Sequence, residues 1–138
     1  MQKKTKKLTK KKIKKNLRRL KNKALKLWAL VVKAKAHNKC CVPGCNNVER
    51  LNAHHIESYS TCKSLRYDIK NGLCLCSGHH KFFADSPHKS FCFTIALLTP
   101  DIINYLTIHR KDTVEFTEEY YENKIKELQQ IIDTCKSQ

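Results

Sequence analysis

The chain has 138 residues, eight cysteines and a formal net charge of +16, and 41% of its residues are hydrophobic. This length suits one modest domain plus a tail, and no stretch approaches the ~18 consecutive apolar residues of a membrane span. The apolar run from Leu27 to Val32 is too short for the core of a secretion signal, because Lys33 ends it. We therefore expect an intracellular protein, in the cytoplasm of a host cell and without a membrane partner, whose reduced cysteines bind metal.

Positive charge is concentrated in the first third of the chain. Residues 1–48 hold 17 lysines and arginines and no acid, whereas residues 49–138 hold 11 basic and 12 acidic residues. Such a block attracts polyanions, so we expect an arm that contacts nucleic-acid phosphates; a solubilising tail is the alternative. Arg66, further along, is either another phosphate contact or an ordinary surface charge. The candidate contacts in the arm are Lys11, Lys12, Lys14, Lys15, Arg18, Arg19 and Lys21.

The arm is followed by a helical pattern. Residues 1–13 are rich in lysine and poor in large apolar groups, which predicts a disordered basic tail. From Lys14 onward, apolar residues recur at spacings of three and four, and no glycine or proline occurs before Pro43. The sequence therefore predicts a basic helix that ends near Asn38. Its apolar face, with Trp28, is expected to pack on the domain that follows.

The middle of the chain has a strand, strand, helix order. Leu51 to Ile56 and Gly72 to Cys76 are predicted as short strands, joined by a polar connection over residues 57–70. His79 to Ala84 is predicted as a short helix. Together these elements form a ββα unit, so we expect a small α+β fold.

The C-terminal part is predicted to be mostly helical. Periodicity does not decide between helix and buried strand for residues 91–98. Thr99 is expected to cap a helix that begins with Pro100, and Thr117 is expected to cap the last one. The last helix has an apolar stripe that we expect in the core, with a homodimer through this helix as the alternative. The stripe consists of Tyr121, Ile125, Leu128, Ile132 and Cys135.

Two close pairs of cysteine and histidine have the spacing of a structural zinc site. Cys41 and Cys45 flank a Pro-Gly turn, and Cys76 precedes His79 by three residues. Tetrahedral zinc sites in proteins commonly take two such pairs from separate turns. We therefore predict a zinc knuckle with these four ligands. Two alternatives remain open, because Cys40 can replace Cys41 and Cys74 can compete with Cys76.

Two adjacent histidine pairs offer a second metal site. Neighbouring strand residues point to opposite faces, so His54 and His55 are expected to serve different tasks. Neighbouring helix residues differ by about 100°, so His79 can face the zinc while His80 faces another metal.

This region resembles the HNH endonuclease family, the ββα-metal or His-Me finger nucleases, over roughly residues 24–90. The resemblance implies that His54 is a metal ligand, His55 the general base and His80 the second metal ligand. It also implies that Asn71 holds the loop and the base in orientation. One departure is His79, which stands where the family usually has a fourth zinc cysteine. The residues that carry the resemblance are Ala53-His54-His55-Ile56, Asn71-Gly72-Leu73-Cys74-Leu75-Cys76 and His79-His80.

The resemblance implies a metal-dependent DNA endonuclease that hydrolyses phosphodiesters, by nicking or by double-strand cleavage. Its cofactors would be a structural Zn²⁺ and one catalytic divalent ion, which is Mg²⁺, Mn²⁺, Ni²⁺ or Zn²⁺. Its partner would be DNA. In style the chain is similar to the small stand-alone members from phages and mobile elements. A non-catalytic zinc-stabilised nucleic-acid-binding protein is the alternative. We expect a tail at 1–13, a nuclease domain with its leading helix at 14–90 and a helical extension at 91–138.

Overall fold

The first element of the structure is a long helix, α1 (Gln2–Lys35). The computed structural model describes residues 2–138, with side chains from Thr9 onward, and Met1 lies outside the described residues. Lysine, leucine and alanine favour helix, and they dominate this segment. The helix ends where Asn38 takes a positive φ of 51° and its N–H donates to a carbonyl in the last turn. The predicted basic helix is therefore confirmed.

The helix begins at Gln2, whereas the sequence predicts a start near Lys14 after a disordered tail at 1–13. Lysine is a good helix former, and no helix-breaking residue separates the tail from the apolar stripe. The described backbone is therefore helical where the sequence predicts disorder. The domain boundaries proposed at residues 13 and 90 stay predictions.

Helix α5 (Glu118–Lys136) packs along α1 and supplies the other half of the main core. Leu128 and Ile132 lie in one buried cluster with α1, and Tyr121 lies in a second. Core packing of the predicted C-terminal stripe is thus confirmed. A homodimer through this helix stays a prediction. The α1 residues of the two clusters are Leu20, Ala24, Leu27, Trp28, Val31 and Val32.

The ββα unit lies against the same side of α1. Strand β1 (Leu51–His55) pairs antiparallel with β2 (Gly72–Cys76), and His55 lies opposite Gly72 in the register. Helix α2 (Ser77–Asp85) follows β2 without a connecting loop. The predicted unit is confirmed, with β1 one residue shorter at its C-terminal end.

The remaining elements of the described chain are a short 3-10 helix (Ile69–Asn71) directly before β2 and two α-helices, α3 (Pro87–Leu97) and α4 (Pro100–His109). Residues 91–98, which the sequence leaves undecided, therefore lie mostly in a helix. The Thr99 hydroxyl accepts the N–H of Ile102 at 3.4 Å, and that of Thr117 accepts the N–H of Tyr120 at 3.0 Å. Both predicted caps are confirmed.

Within residues 2–138, no single helix is long and apolar enough to cross a membrane. Helices α3 and α4 together satisfy the length and composition of a span, but the pair is bent by 119°.

At Gly72 the sheet lies directly against α1. A Cβ at this position would overlap the side chain of Val32 and lie 3.0 Å from the Trp28 ring. Both neighbours are buried. The absence of a side chain at Gly72 therefore lets α1 pack against the end of β2.

Gly72→Val is expected to lower the free energy of unfolding by about 1–3 kcal/mol, because an overpacked core must shift to accept the side chain. Gly78→Ala is the matched control, since a Cβ there would meet nothing within 4 Å. Thermal unfolding at a fixed zinc concentration compares the two variants. Equal melting temperatures would contradict the close approach.

Candidate functional site

Four cysteine and histidine side chains converge where β2 passes into α2. One ligand atom from each of Cys40, Cys45, Cys76 and His79 lies within 4.8 Å of all the others. Cys76 Sγ is 3.2 Å from His79 Nδ1, and Cys40 Sγ is 3.5 Å from the same nitrogen. Gly44, with a φ of 80°, makes the turn that brings Cys45 back toward the group. A set of three sulfurs and one imidazole fits tetrahedral zinc.

The structure corrects one predicted ligand, because Cys40 occupies the position expected of Cys41. Consecutive residues in an extended segment point in opposite directions, so only one of the two can face the group. The backbone N–H of Cys41 donates to the carbonyl of Cys74 at 2.9 Å, and its side chain lies outside the group of four. Cys74, the other open alternative, is buried but also lies outside this group.

The pKa values of Cys76 and Cys40 depart from the ordinary value of a thiol in opposite directions. The backbone N–H of His79, at the start of α2, is the main cause that lowers the pKa of Cys76 to about 7. A substantial fraction of Cys76 is therefore thiolate, the form that binds zinc. Burial raises the pKa of Cys40, as expected of a thiol that needs a metal ion to hold its deprotonated form.

His54 of β1 and His80 of α2 lie next to each other. Their ring centroids are 5.6 Å apart at an interplanar angle of 80°, and the Phe83 ring lies 5.4 Å from His54. Burial, followed by the neighbouring His80, lowers the pKa of His54 to about 4. His54 is therefore neutral at pH 7, and its nitrogen lone pair is available to a divalent ion. Two imidazole nitrogens fit Zn²⁺ or Ni²⁺, and their small number leaves room for oxygen ligands.

His55 points to the other face of β1, as strand alternation predicts. Its imidazole stacks on the Trp28 indole with ring centroids 3.8 Å apart and an interplanar angle of 12°. His55 Nε2 lies 2.9 Å from the carbonyl oxygen of Arg66. Since a carbonyl only accepts, Nε2 carries the proton and Nδ1 of the neutral ring carries a lone pair. Burial lowers the pKa of His55, so the neutral form predominates at pH 7.

Asn71 is fully buried and acts on the backbone of the loop between the strands. Its Nδ2 donates to the carbonyls of Glu57 and Leu65, both at 3.0 Å, and its Oδ1 accepts the N–H of Glu57 at 2.6 Å. Leu65 directly precedes Arg66, whose carbonyl accepts the bond from His55. Asn71 therefore holds the loop that orients His55 and has no exposed surface with which to contact a substrate.

Three aromatic residues around the site were not singled out for it by the sequence. The Trp28 Nε1–H donates to the carbonyl of Asp68 at 2.8 Å, which fixes the indole beneath His55. Tyr59 lies 5.4 Å from the His55 ring, and Phe83 borders His54. The helical stripe signalled that Trp28 is buried, but no spacing connects it with a histidine 27 positions away.

Two of the predicted phosphate contacts lie near His55, and the others lie along α1. Arg66 is held between two rings, 4.2 Å from the Tyr59 centroid and 5.1 Å from that of Phe116. The Nζ of Lys21 lies 5.9 Å from the same Tyr59 ring. The structure thus brings Lys21 and Arg66 together next to His55. The other candidates are exposed along α1, namely Lys11, Lys12, Lys14, Lys15, Arg18 and Arg19.

Residues 40–86 match the family model described as HNH endonuclease. The resemblance seen in the sequence is therefore confirmed over this segment, which includes both candidate metal sites, His55 and Asn71. No curated protein and no solved structure matches the chain. The similarity to phage and mobile-element members is not borne out. The HNH domain supports a function of the nuclease family in general.

Cys40→Ser is expected to abolish stoichiometric zinc binding and to lower the melting temperature, because it removes one of four ligands. Cys41→Ser is its matched control and should keep both, since its thiol lies outside the group. Metal analysis of the purified variants by mass spectrometry measures the stoichiometry. Zinc lost from the Cys41 variant and kept in the Cys40 variant would reverse the assignment.

Proposed function

We propose that the protein is a metal-dependent DNA endonuclease in which His55 is the general base. The observation that carries the proposal is the arrangement of the His55 ring. One ring face is covered by Trp28 and Nε2 is bonded to a carbonyl, so Nδ1 is the remaining basic atom. His54, on the opposite face of the same strand, and His80, in α2, offer two imidazole ligands to a divalent ion.

In this mechanism His55 Nδ1 removes a proton from the water that attacks the phosphodiester. A divalent ion on His54 and His80 would stabilise the charge that develops on the phosphate and on the departing 3′ oxygen. The Nε2–H of His55 stays bonded to the Arg66 carbonyl, which stabilises the imidazolium formed by proton transfer. The face of Trp28 attracts the same positive charge.

The zinc group has a separate, structural part in this proposal. It ties the segment before β1 to the junction of β2 and α2, through Cys40 and Cys45 on one side and Cys76 and His79 on the other. His80 directly follows His79, so zinc at the first site would fix the helix turn that carries the second site. Asn71, at the opposite end of β2, bonds the carbonyl of Leu65 in the loop whose Arg66 carbonyl accepts the bond from His55.

His55→Ala is expected to lower the rate of DNA cleavage by about 10²–10⁴, because it removes the general base. Zinc content and DNA affinity should stay unchanged. His88→Ala, an exposed histidine of α3, is the matched control and should cleave like the parent protein. The assay is the nicking of supercoiled plasmid with Mg²⁺, Mn²⁺, Ni²⁺ or EDTA. Tight binding without cleavage under any metal would favour the non-catalytic binding protein.

Trp28→Phe keeps an aromatic face beneath His55 but loses the N–H bond to Asp68, and Trp28→Leu loses both. We expect the cleavage rate at saturating DNA to fall for both variants and further for leucine, while the DNA concentration at half-saturation stays close to that of the parent. Single-turnover cleavage kinetics measure the two quantities. Equal rates for the two variants would show that the ring stack does not orient the base.

A further inference from the structure

The basic residues of α1 form two flanks, and only one of them leads to His55. This flank borders an open groove of about 540 Å³ between α1 and the segment before α5. Five of its eight lining residues are basic, and the lining contains no carboxylate. The basic residues are Lys11, Lys14, Lys15, Arg18 and Lys21, and the apolar ones are Leu17, Phe116 and Tyr121.

The groove continues directly into the candidate active site. Phe116 lines the groove and also packs on the Arg66 guanidinium at 5.1 Å. Lys21 and Arg66 share the Tyr59 ring, and that ring lies 5.4 Å from the imidazole of His55. An unbroken row of cations and aromatic faces therefore runs from the basic half of α1 to the general base.

The opposite flank of α1 is organised differently. Arg19 donates to the amide oxygen of Asn16 at 2.9 Å, and the amide nitrogen of Asn16 donates to Glu118 at 3.0 Å. The groove on this flank shares Lys15 and Arg18 with the first groove, but its lining also contains the carboxylate of Glu118. Arg19 on this flank is therefore engaged with a neutral neighbour, and none of Tyr59, Arg66 and Phe116 lines this groove.

We infer that the groove defined by Lys11, Lys14 and Lys21 is the track along which a DNA strand reaches His55. Its lysines and Arg18 would contact successive phosphates, and Arg66 on Tyr59 would contact the phosphate nearest the reacting bond. The inference rests on the proposed function. Polyanionic DNA suits a track of this charge, and the position of its end next to His55 favours DNA over an acidic protein or an anionic membrane.

A pair of triple variants tests the track. The track variant carries Lys11→Ala, Lys14→Ala and Lys21→Ala. The control variant carries Lys12→Ala, Lys23→Ala and Lys26→Ala, which remove the same charge from the same helix. Lys23 and Lys26 follow Lys12 by close to three and four whole turns, so they share its flank. Lysine and alanine are both good helix formers, so the helix should persist in each variant.

Binding is measured separately from cleavage, on proteins that also carry His55→Ala, loaded with zinc and without added divalent metal. The probe is a fluorescein-labelled 30-base-pair duplex, and anisotropy gives Kd as a function of salt. Three lost phosphate contacts should lower the slope of log Kd against log salt by about two to three. In the control variant this slope should fall by less than one. The rise in Kd should be at least tenfold smaller for the control variant than for the track variant.

Equal losses for the two variants would overturn the track, because they would show a general attraction to the whole arm. Selective loss of binding to polyglutamate, or to vesicles of phosphatidylserine and phosphatidylcholine, without loss on DNA would also overturn it. Melting temperature and zinc content establish that each variant is folded. If the parent protein with His55 intact does not cleave but the track variant alone loses DNA affinity, the nuclease proposal fails and the track stands.

Discussion

The stacking of Trp28 on His55 joins the two halves of this molecule. Trp28 is 1% exposed, and its N–H is bonded to the carbonyl of Asp68, so the indole is held by α1 from one side and by the strand-connecting loop from the other. Aromatic stacking of this kind contributes about 0.5–1.5 kcal/mol beyond the area that it buries. Because Gly72 has no side chain, the sheet approaches α1 closely enough for the two rings to meet. The orientation of the candidate base thus depends on a helix that lies outside the ββα unit.

Adjacent residues in this small domain serve different tasks, and the backbone geometry explains how. In β1, His54 turns toward His80 while His55 turns toward Trp28, because successive strand residues face opposite sides. In α2, His79 faces the cysteines while His80 faces His54, because successive helix residues differ by about 100°. One strand and one helix turn therefore carry a ligand of the Cys40, Cys45, Cys76 and His79 group, the two histidines of the candidate second metal site and the candidate base.

Local signals in the sequence predicted most of the helices and strands. Contacts between distant segments could not be predicted in the same way. Thr99 and Thr117 could be predicted as helix caps from the sequence, and the alternating pattern from Gly72 to Cys76 predicted β2. The choice between Cys40 and Cys41 depends on how the chain enters the knuckle, which spacing alone does not determine. Trp28 was expected to be buried, but its contact with His55 depends on how α1 crosses the sheet. The two flanks of α1 look equivalent in the sequence, and they are distinguished by Tyr59, Arg66 and Phe116 near one of them and by Glu118 on the other.

The continuity of α1 has a consequence for the proposed function. Lys14, Lys21 and Trp28 follow one another at intervals of about two helical turns, so they lie near one line along a single rigid element. A strand held on this flank by its phosphates would be positioned relative to His55 by the helix itself and not by a flexible tether. Phosphate contacts carry no sequence information, yet they fix the register of the backbone. The same contacts that would bind DNA of any sequence would therefore also bring a phosphodiester to the base, and positioning of this kind is a large part of what such a reaction requires.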